Sequence, residues 1–265
     1  MEMVGQKHNI EIINTMLDNF PKFLILVGKQ GSGKKTLSKY IANKLNANFA
    51  LCGIKVDEIR DVTNTAMTIN SKAVYCIADA DKMKNEAKNA MLKITEEPPI
   101  NAYFILTVCN EYDLLDTIKS RAMLMHMDKY TIEELKRYKP NLDNNMYEVA
   151  KNLYDLDLLE KYGVDFFKYV DLVYDNIALV GSANAFKSSK ELSIKNEDGY
   201  DVCLFWEAFM KKCVDNLVHG NYVADWVRST AKCINLCNRS YSNLEMLYDW
   251  WVLDIRRSYY ETTGV

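Results

Sequence analysis

Residues 28–36 read Gly28-Lys29-Gln30-Gly31-Ser32-Gly33-Lys34-Lys35-Thr36, which combines glycines, a lysine pair and two hydroxyls in one short stretch. Those residue types suit an anion. Glycine adopts backbone angles closed to other residues, so the N–H groups can turn inward onto anionic oxygens. Lys34 stands at the phosphate-contacting position of the spacing G-x-x-x-x-G-K. The same pattern places Ser or Thr next, to bind a magnesium ion. Here that place holds Lys35, and Thr36 comes one residue late. A second cation helps to hold phosphate but cannot coordinate a metal. A second chemical element is the acid pair Asp79 and Asp81. Acids at the carboxyl end of a nucleotide-binding strand hold magnesium and orient the attacking water.

These groups need elements to position them. Phe23 to Val27 is an apolar run that predicts a buried parallel strand. After the glycine loop, Leu37, Tyr40, Ile41 and Leu45 fall at helical spacing. Strand, loop and helix together predict a phosphate-binding loop fed by the positive end of a helix. Upstream, Ile10, Ile13, Leu17 and Phe20 mark one face of a helix that Pro21 ends. Downstream, further strands are expected over Ala47–Leu51, Ala73–Ile77, Tyr103–Val108 and Met123–Met127. Helices are expected from Val56, with Asp57 as cap, and over Asn85–Ile94. Alternation of strands and helices implies a parallel α/β sheet, with right-handed connections and helices on both faces.

From Thr131 the pattern becomes helical. Thr131-Ile132-Glu133-Glu134 is a capping box. Pro140, the stretch Asn141–Asn145 and Gly163 break successive helices. Phe166, Phe167, Val170, Val173 and Ile177 share a face, and a polar turn is expected over Lys195–Asp198. Three more helices fit 201–219, 221–238 and 241–260, with Leu204, Phe205, Ala208, Phe209, Lys212 and Cys213 spaced as a packing face. Tyr248, Trp250 and Trp251 fit core and interface packing. The expected division is 1–130, 131–164 and 165–265.

The 265 residues are 49% hydrophobic and 26% charged, a globular balance. No apolar run is long enough to span a bilayer and no leader pattern opens the chain, so a cytoplasmic protein is expected. None of the seven cysteines forms a CxxC pair, which fits free thiols in a reducing compartment. A net charge of −3 argues against strong DNA binding by this chain alone.

Residues 4–137 resemble the AAA+ module of clamp-loader subunits, in particular the delta-prime and gamma/tau type of bacterial DNA polymerase III. The resemblance rests on Val4-Gly5-Gln6, the phosphate loop, Val56-Asp57-Glu58-Ile59-Arg60, and Ala80-Asp81-Lys82-Met83 with Asn89-Ala90-Met91-Leu92-Lys93. Glu96-Glu97-Pro98-Pro99, Phe104-Ile105-Leu106-Thr107 and Thr117-Ile118-Lys119-Ser120-Arg121 follow in order. It implies an AAA+ domain, a small helical lid and an all-α collar. It also implies ATP as ligand, and as partners other clamp-loader subunits, the sliding clamp and, through the assembled complex, primer-template DNA. No membrane is implied.

The departures from that family bear on catalysis. Active members carry Asp-Glu-Ala-Asp where this chain has Ala78-Asp79-Ala80-Asp81. The first aspartate is lost, and the glutamate that polarises water has become the shorter Asp79. Magnesium coordination by Thr36, Asp79 and Asp81 is thereby compromised. The polar sensor falls near Cys109, with Thr107 and Asn110 as neighbours. The family's zinc module is missing, and its second sensor arginine has no counterpart near Tyr154–Lys161. Arg121, in the Ser-Arg motif, is intact, and the resemblance implies that it reaches a neighbouring subunit's nucleotide as a trans finger. The expected protein binds ATP, hydrolyses it poorly and serves its neighbours. The alternatives are an active ATPase motor subunit, a nucleotide-free scaffold of the same complex and, more distantly, a P-loop kinase.

Overall fold

The structure, a computed structural model, describes residues 3–179, 186–194, 198–217, 221–237 and 243–264. The chain divides into two compact units, 1–138 and 139–265.

The first unit is built on a five-stranded sheet with β1 (Phe23–Val27), β2 (Asn48–Cys52), β3 (Ala73–Ile77), β4 (Ala102–Val108) and β5 (Met123–His126). The strand order is β2-β3-β4-β1-β5, and every pairing is parallel. Helices α1 (Lys7–Met16), α2 (Lys34–Lys44), α3 (Val56–Thr68), α4 (Asn85–Glu96), α5 (Asp116–Lys119) and α6 (Ile132–Tyr138) connect or flank the strands. The expected parallel α/β fold is present.

Alternation along the strands builds two cores. Phe23, Ile25 and Val27 join Tyr75, Ile77, Phe104 and Leu106 on one face, beneath Ile59 of α3 and Met91 of α4. Leu24 and Leu26 turn the other way, to Val74, Ile105 and Met125, with Ile13 of α1 and Leu37 and Ile41 of α2. A strand buried on both faces must be apolar at every position, which is why β1 reads as a continuous apolar run. Phe104 stacks on Phe23 at 4.8 Å and on Tyr75 at 5.5 Å, so three aromatic rings tie β1, β4 and β3 together.

Local signals decide the helix ends. The Thr131 capping box forms in both directions: the Thr131 amide donates to Glu134 Oε2 at 3.0 Å, and the Glu134 amide to Thr131 Oγ1 at 3.2 Å. Helix α2 begins at Lys34, directly after Gly33 in a left-handed conformation. One expectation needs correction. Asp57 does not cap α3. It lies within the first turn, where it pairs with Arg60 at 3.6 Å, while Glu58 Oε2 accepts the Lys55 amide at 2.9 Å.

The second unit is helical in its long elements: α7 (Asn144–Val149), α8 (Leu153–Asn176), α9 (Val202–Asp215), α10 (Asn221–Cys237) and α11 (Leu244–Thr263). Asn152, Asp201 and Asn243 cap α8, α9 and α11 with their side chains. Helix α8 is interrupted at Gly163, whose φ of 65° and ψ of −155° are non-helical. Most of the expected faces pack as read. Phe166, Val170, Val173 and Ile177 are buried, with Phe167 only half-buried, and Leu204, Phe205, Ala208, Phe209 and Cys213 are buried too. Lys212 is the exception on that face, because its ammonium pairs with Asp171 at 2.7 Å. Trp251 and Tyr248 lie in the core, whereas Trp250 is half-buried with the Lys232 ammonium 4.2 Å above its ring. The polar turn expected at Lys195–Asp198 falls mostly outside the described residues, as do the expected helix ends at 218–219, 238 and 241–242.

Two indole N–H groups in the core of this unit have partners, whereas Trp206 Nε1 is buried without one. Trp226 Nε1 donates to the Ile255 carbonyl and Trp251 Nε1 to Thr230 Oγ1, each at 3.0 Å. The Thr230 hydroxyl donates in turn to the Trp226 carbonyl at 2.7 Å.

Two substitutions test these cores by urea denaturation. Phe104→Ala removes the middle ring of the sheet stack and should cost about 3–5 kcal/mol; a loss below about 1 kcal/mol would show that the stack contributes little. Thr230→Val keeps the volume but leaves the Trp251 N–H unsatisfied, and should cost about 1–3 kcal/mol.

Candidate nucleotide site

The site follows from the strand order. Strand β4 lies between β1 and β3, so the loop leaving β1 and the turn leaving β3 emerge two strand spacings apart, about 10 Å. The end of β4, at Cys109, lies between them. Ligands in open α/β sheets bind in such a place, at the carboxyl ends of the strands where the order reverses.

The loop is closed by the Ser32 amide donating to the Lys29 carbonyl at 3.2 Å, with Gly31 and Gly33 at φ of 78° and 90°. Lys34 is buried. Its ammonium donates to the Gly28 carbonyl and, at 2.9 Å, to the Lys29 carbonyl. Burial pushes the Lys34 ammonium below its ordinary pKa, against the pull of Cys109, Asp79 and Asp81. Lys35 is exposed and Thr36 half-buried on the first turn of α2.

Around the loop the acids take unequal positions. Asp79 is half-buried in a left-handed conformation, and its amide donates to Thr107 Oγ1 at 3.1 Å. Asp81 is buried, and its Oδ2 accepts the Cys109 amide at 3.2 Å. Thr107 and Asp81 thus clamp the turn after β3 to β4. Asn110 caps the short turn at Glu111–Asp113 through Oδ1. Cys109 is exposed by surface area, yet desolvation of its thiol pushes the pKa up, against the downward pull of the Lys34 charge.

The residues fit a phosphate anion. Helix α2 has no side chain capping its N-terminus, so its first N–H groups are available as donors. Ser32 Oγ is buried with no hydrogen-bond partner. A metal cage is not assembled by the protein alone. Among the described residues no group of three or more His, Cys, Asp or Glu could hold a metal ion, and one oxygen of Asp81 is engaged by the Cys109 amide.

Arg121 lies elsewhere, just past α5. Its side chain is 41% exposed, with Nη1 donating to the Thr117 carbonyl at 3.0 Å and Nη2 3.7 Å from Glu96 Oε1. Glu96, the first residue of Glu-Glu-Pro-Pro, therefore sits beside the Ser-Arg motif. Sequence reasoning singled out the Gly5-Gln6 segment without a role and missed Tyr130. The Tyr130 hydroxyl donates to the Ser32 carbonyl at 3.2 Å from 98 positions away, and no spacing rule reaches that far.

The family described as DNA polymerase III, delta subunit matches residues 50–131. The DNA polymerase III subunit gamma of Buchnera aphidicola subsp. Schizaphis graminum is 25% identical over 186 residues, covering 56% of this chain and 51% of the relative. The subunit delta' of Buchnera aphidicola subsp. Baizongia pistaciae is 34% identical over 102 residues, covering 36% of this chain and 30% of the relative. The chain thus spans roughly half or less of the length of these relatives. Among solved structures, a DNA polymerase III gamma subunit-related protein from Thermotoga maritima superposes with a TM-score of 0.52 at 15% identity, over 94% of this chain and 98% of that one. That identity speaks for the fold alone. The matched segment, the named relatives and the parallel-sheet fold agree in their likeness to clamp-loader AAA+ proteins.

Proposed function

We propose that the chain is a subunit of a sliding-clamp loader in the cytoplasm that binds ATP, hydrolyses it poorly and lends Arg121 to a neighbouring subunit. What carries the reading is a contrast between two cations. Lys34 is buried inside a loop built for an anion, whereas Arg121 is exposed at a distance in sequence from that loop. The relatives named as clamp-loader subunits supply the setting. The three-part division at 130 and 164 into AAA+ domain, lid and collar belongs to the same proposal, as do the partner subunits, the clamp and primer-template DNA.

ATP, when bound, supplies the phosphoryl group whose transfer to water drives such assemblies. The residues of this chain favour binding over transfer. Gly28, Lys29, Gln30, Gly31, Ser32 and Gly33 form the cradle, Lys34 and Lys35 supply positive charge, and Thr36 is the nearest hydroxyl for a metal. Asp79 is one methylene shorter than glutamate, which withdraws its carboxylate from water by more than an ångström. A misplacement of that size costs about 10²-fold. Ala78 offers no carboxylate at all, while Asp81 braces the Cys109 amide through Oδ2 and keeps Oδ1 buried without a hydrogen-bond partner, the one oxygen of this acid left to a metal.

The exposed pair between Arg121 and Glu96 is worth about 1 kcal/mol or less. It orients the guanidinium without committing it, which suits a group that must reach another subunit's phosphate.

Titration of the purified chain with a fluorescent ATP analogue should show saturable binding that depends little on magnesium. Lys34→Ala removes a charged hydrogen-bond donor and should weaken it by about 10–100-fold. Absence of binding in the unmodified chain would favour the scaffold alternative instead. In the assembled complex, Arg121→Ala should lower turnover at the one neighbouring site by about 10³-fold or more, with the melting temperature unchanged. Unaltered steady-state hydrolysis in that complex would remove the trans-finger role.

A further inference from the structure

Ser32 has a carbonyl as well as a hydroxyl in the loop, and two side chains from outside the loop hold that carbonyl. Tyr130 Oη donates to it at 3.2 Å and Gln6 Nε2 at 3.5 Å. Gln6 is 2% exposed, and its amide is fully used. Its Oε1 accepts from Asn9 Nδ2 and from the Asp128 amide, each at 2.8 Å, while Nε2 also donates to the Asp128 carbonyl at 2.8 Å. Asn9 Nδ2 is in turn 3.0 Å from the His126 carbonyl at the end of β5. The start of the chain, the end of β5 and the phosphate loop therefore meet in one network. The Tyr130 ring lies where two glycines leave room for it. A Cβ built on Gly5 would come within 2.6 Å of the ring, and one on Gly33 within 2.9 Å of the hydroxyl.

The consequence lies in the peptide that joins Ser32 to Gly33. The peptide is trans and planar, so its C=O and N–H point in opposite directions. Holding the oxygen toward Tyr130 turns the Gly33 N–H to the opposite side. Reversal of this peptide would present a carbonyl oxygen, which repels an anion, in place of a donor. We propose that Tyr130, backed by Gln6, is a positioning residue for the phosphate loop, fixing the Ser32–Gly33 peptide with its N–H toward the anion. The inference rests on the reading of the loop as a triphosphate site. Burial pushes the Tyr130 phenol above its ordinary pKa, so the hydroxyl stays a donor through the neutral range.

Tyr130→Phe keeps the ring and removes only the hydroxyl. The full chain and this variant are titrated with ATP and with inorganic tripolyphosphate, and the Gly33 amide resonance is followed in ¹⁵N-labelled protein. The variant should lose about 3–10-fold in affinity for both ligands alike, the effect of one net hydrogen bond. Its Gly33 resonance should shift without ligand, with thermal unfolding unchanged. Equal affinities and an unmoved Gly33 resonance would overturn the role. Loss for ATP alone would place the hydroxyl on the nucleoside and overturn it as well. An unmodified chain that binds neither ligand would overturn the triphosphate reading, and this role with it, before any variant is compared.

Discussion

Everything in the first unit depends on the burial of β1. It is covered on both faces and paired on both edges, by β4 and β5, so neither its register nor its end can drift. A one-residue slip would exchange two sets of core side chains and expose neither set to anything that could accept it. Because the last residue of β1 is fixed, the loop that follows starts from a fixed point and direction. Helix α2 then fixes its far side through Leu37 and Ile41. The site is thus preorganised by hydrophobic packing, and its polar groups adjust within a frame they do not have to build.

Much of this was legible in the sequence because the signals were local. The run Phe23–Val27 coincides with β1, and Ala73–Ile77 with β3, since a doubly buried strand permits no polar interruption. The Thr131–Glu134 box and the loop spacing of Gly28, Gly33 and Lys34 are equally short-range. What escaped was set by geometry across the chain. Asp57 carries the right chemistry for a cap, but the turn at Lys55 selected the Glu58 carboxylate instead. Lys212 fell on an apolar face by spacing, yet a carboxylate from α8 met it there. The contacts of Tyr130 and Gln6 with Ser32 join residues that no periodicity relates. Asp81 was legible as an acid, but that its oxygen holds the Cys109 amide follows only from β4 lying beside β3.

The two units reach stability by different chemistry. The sheet unit relies on aliphatic layers with one aromatic stack. In the helical unit, Phe205, Phe209, Trp226 and Trp251 pack edge-on or tilted, and each buried indole N–H of Trp226 and Trp251 has an acceptor. Aromatic cores of this kind are directional, so they fix the helices' rotation as well as their contact.

The break at Gly163 has a further meaning. A side chain there would meet no atom within 4 Å, so the glycine is not required by crowding. It is required by the sign of the backbone angle, in a region that L-residues avoid and glycine enters freely. The course of the chain between the two halves of α8 is therefore a matter of handedness. At that one position a D-amino acid would be at home, with open space for whatever group it carried.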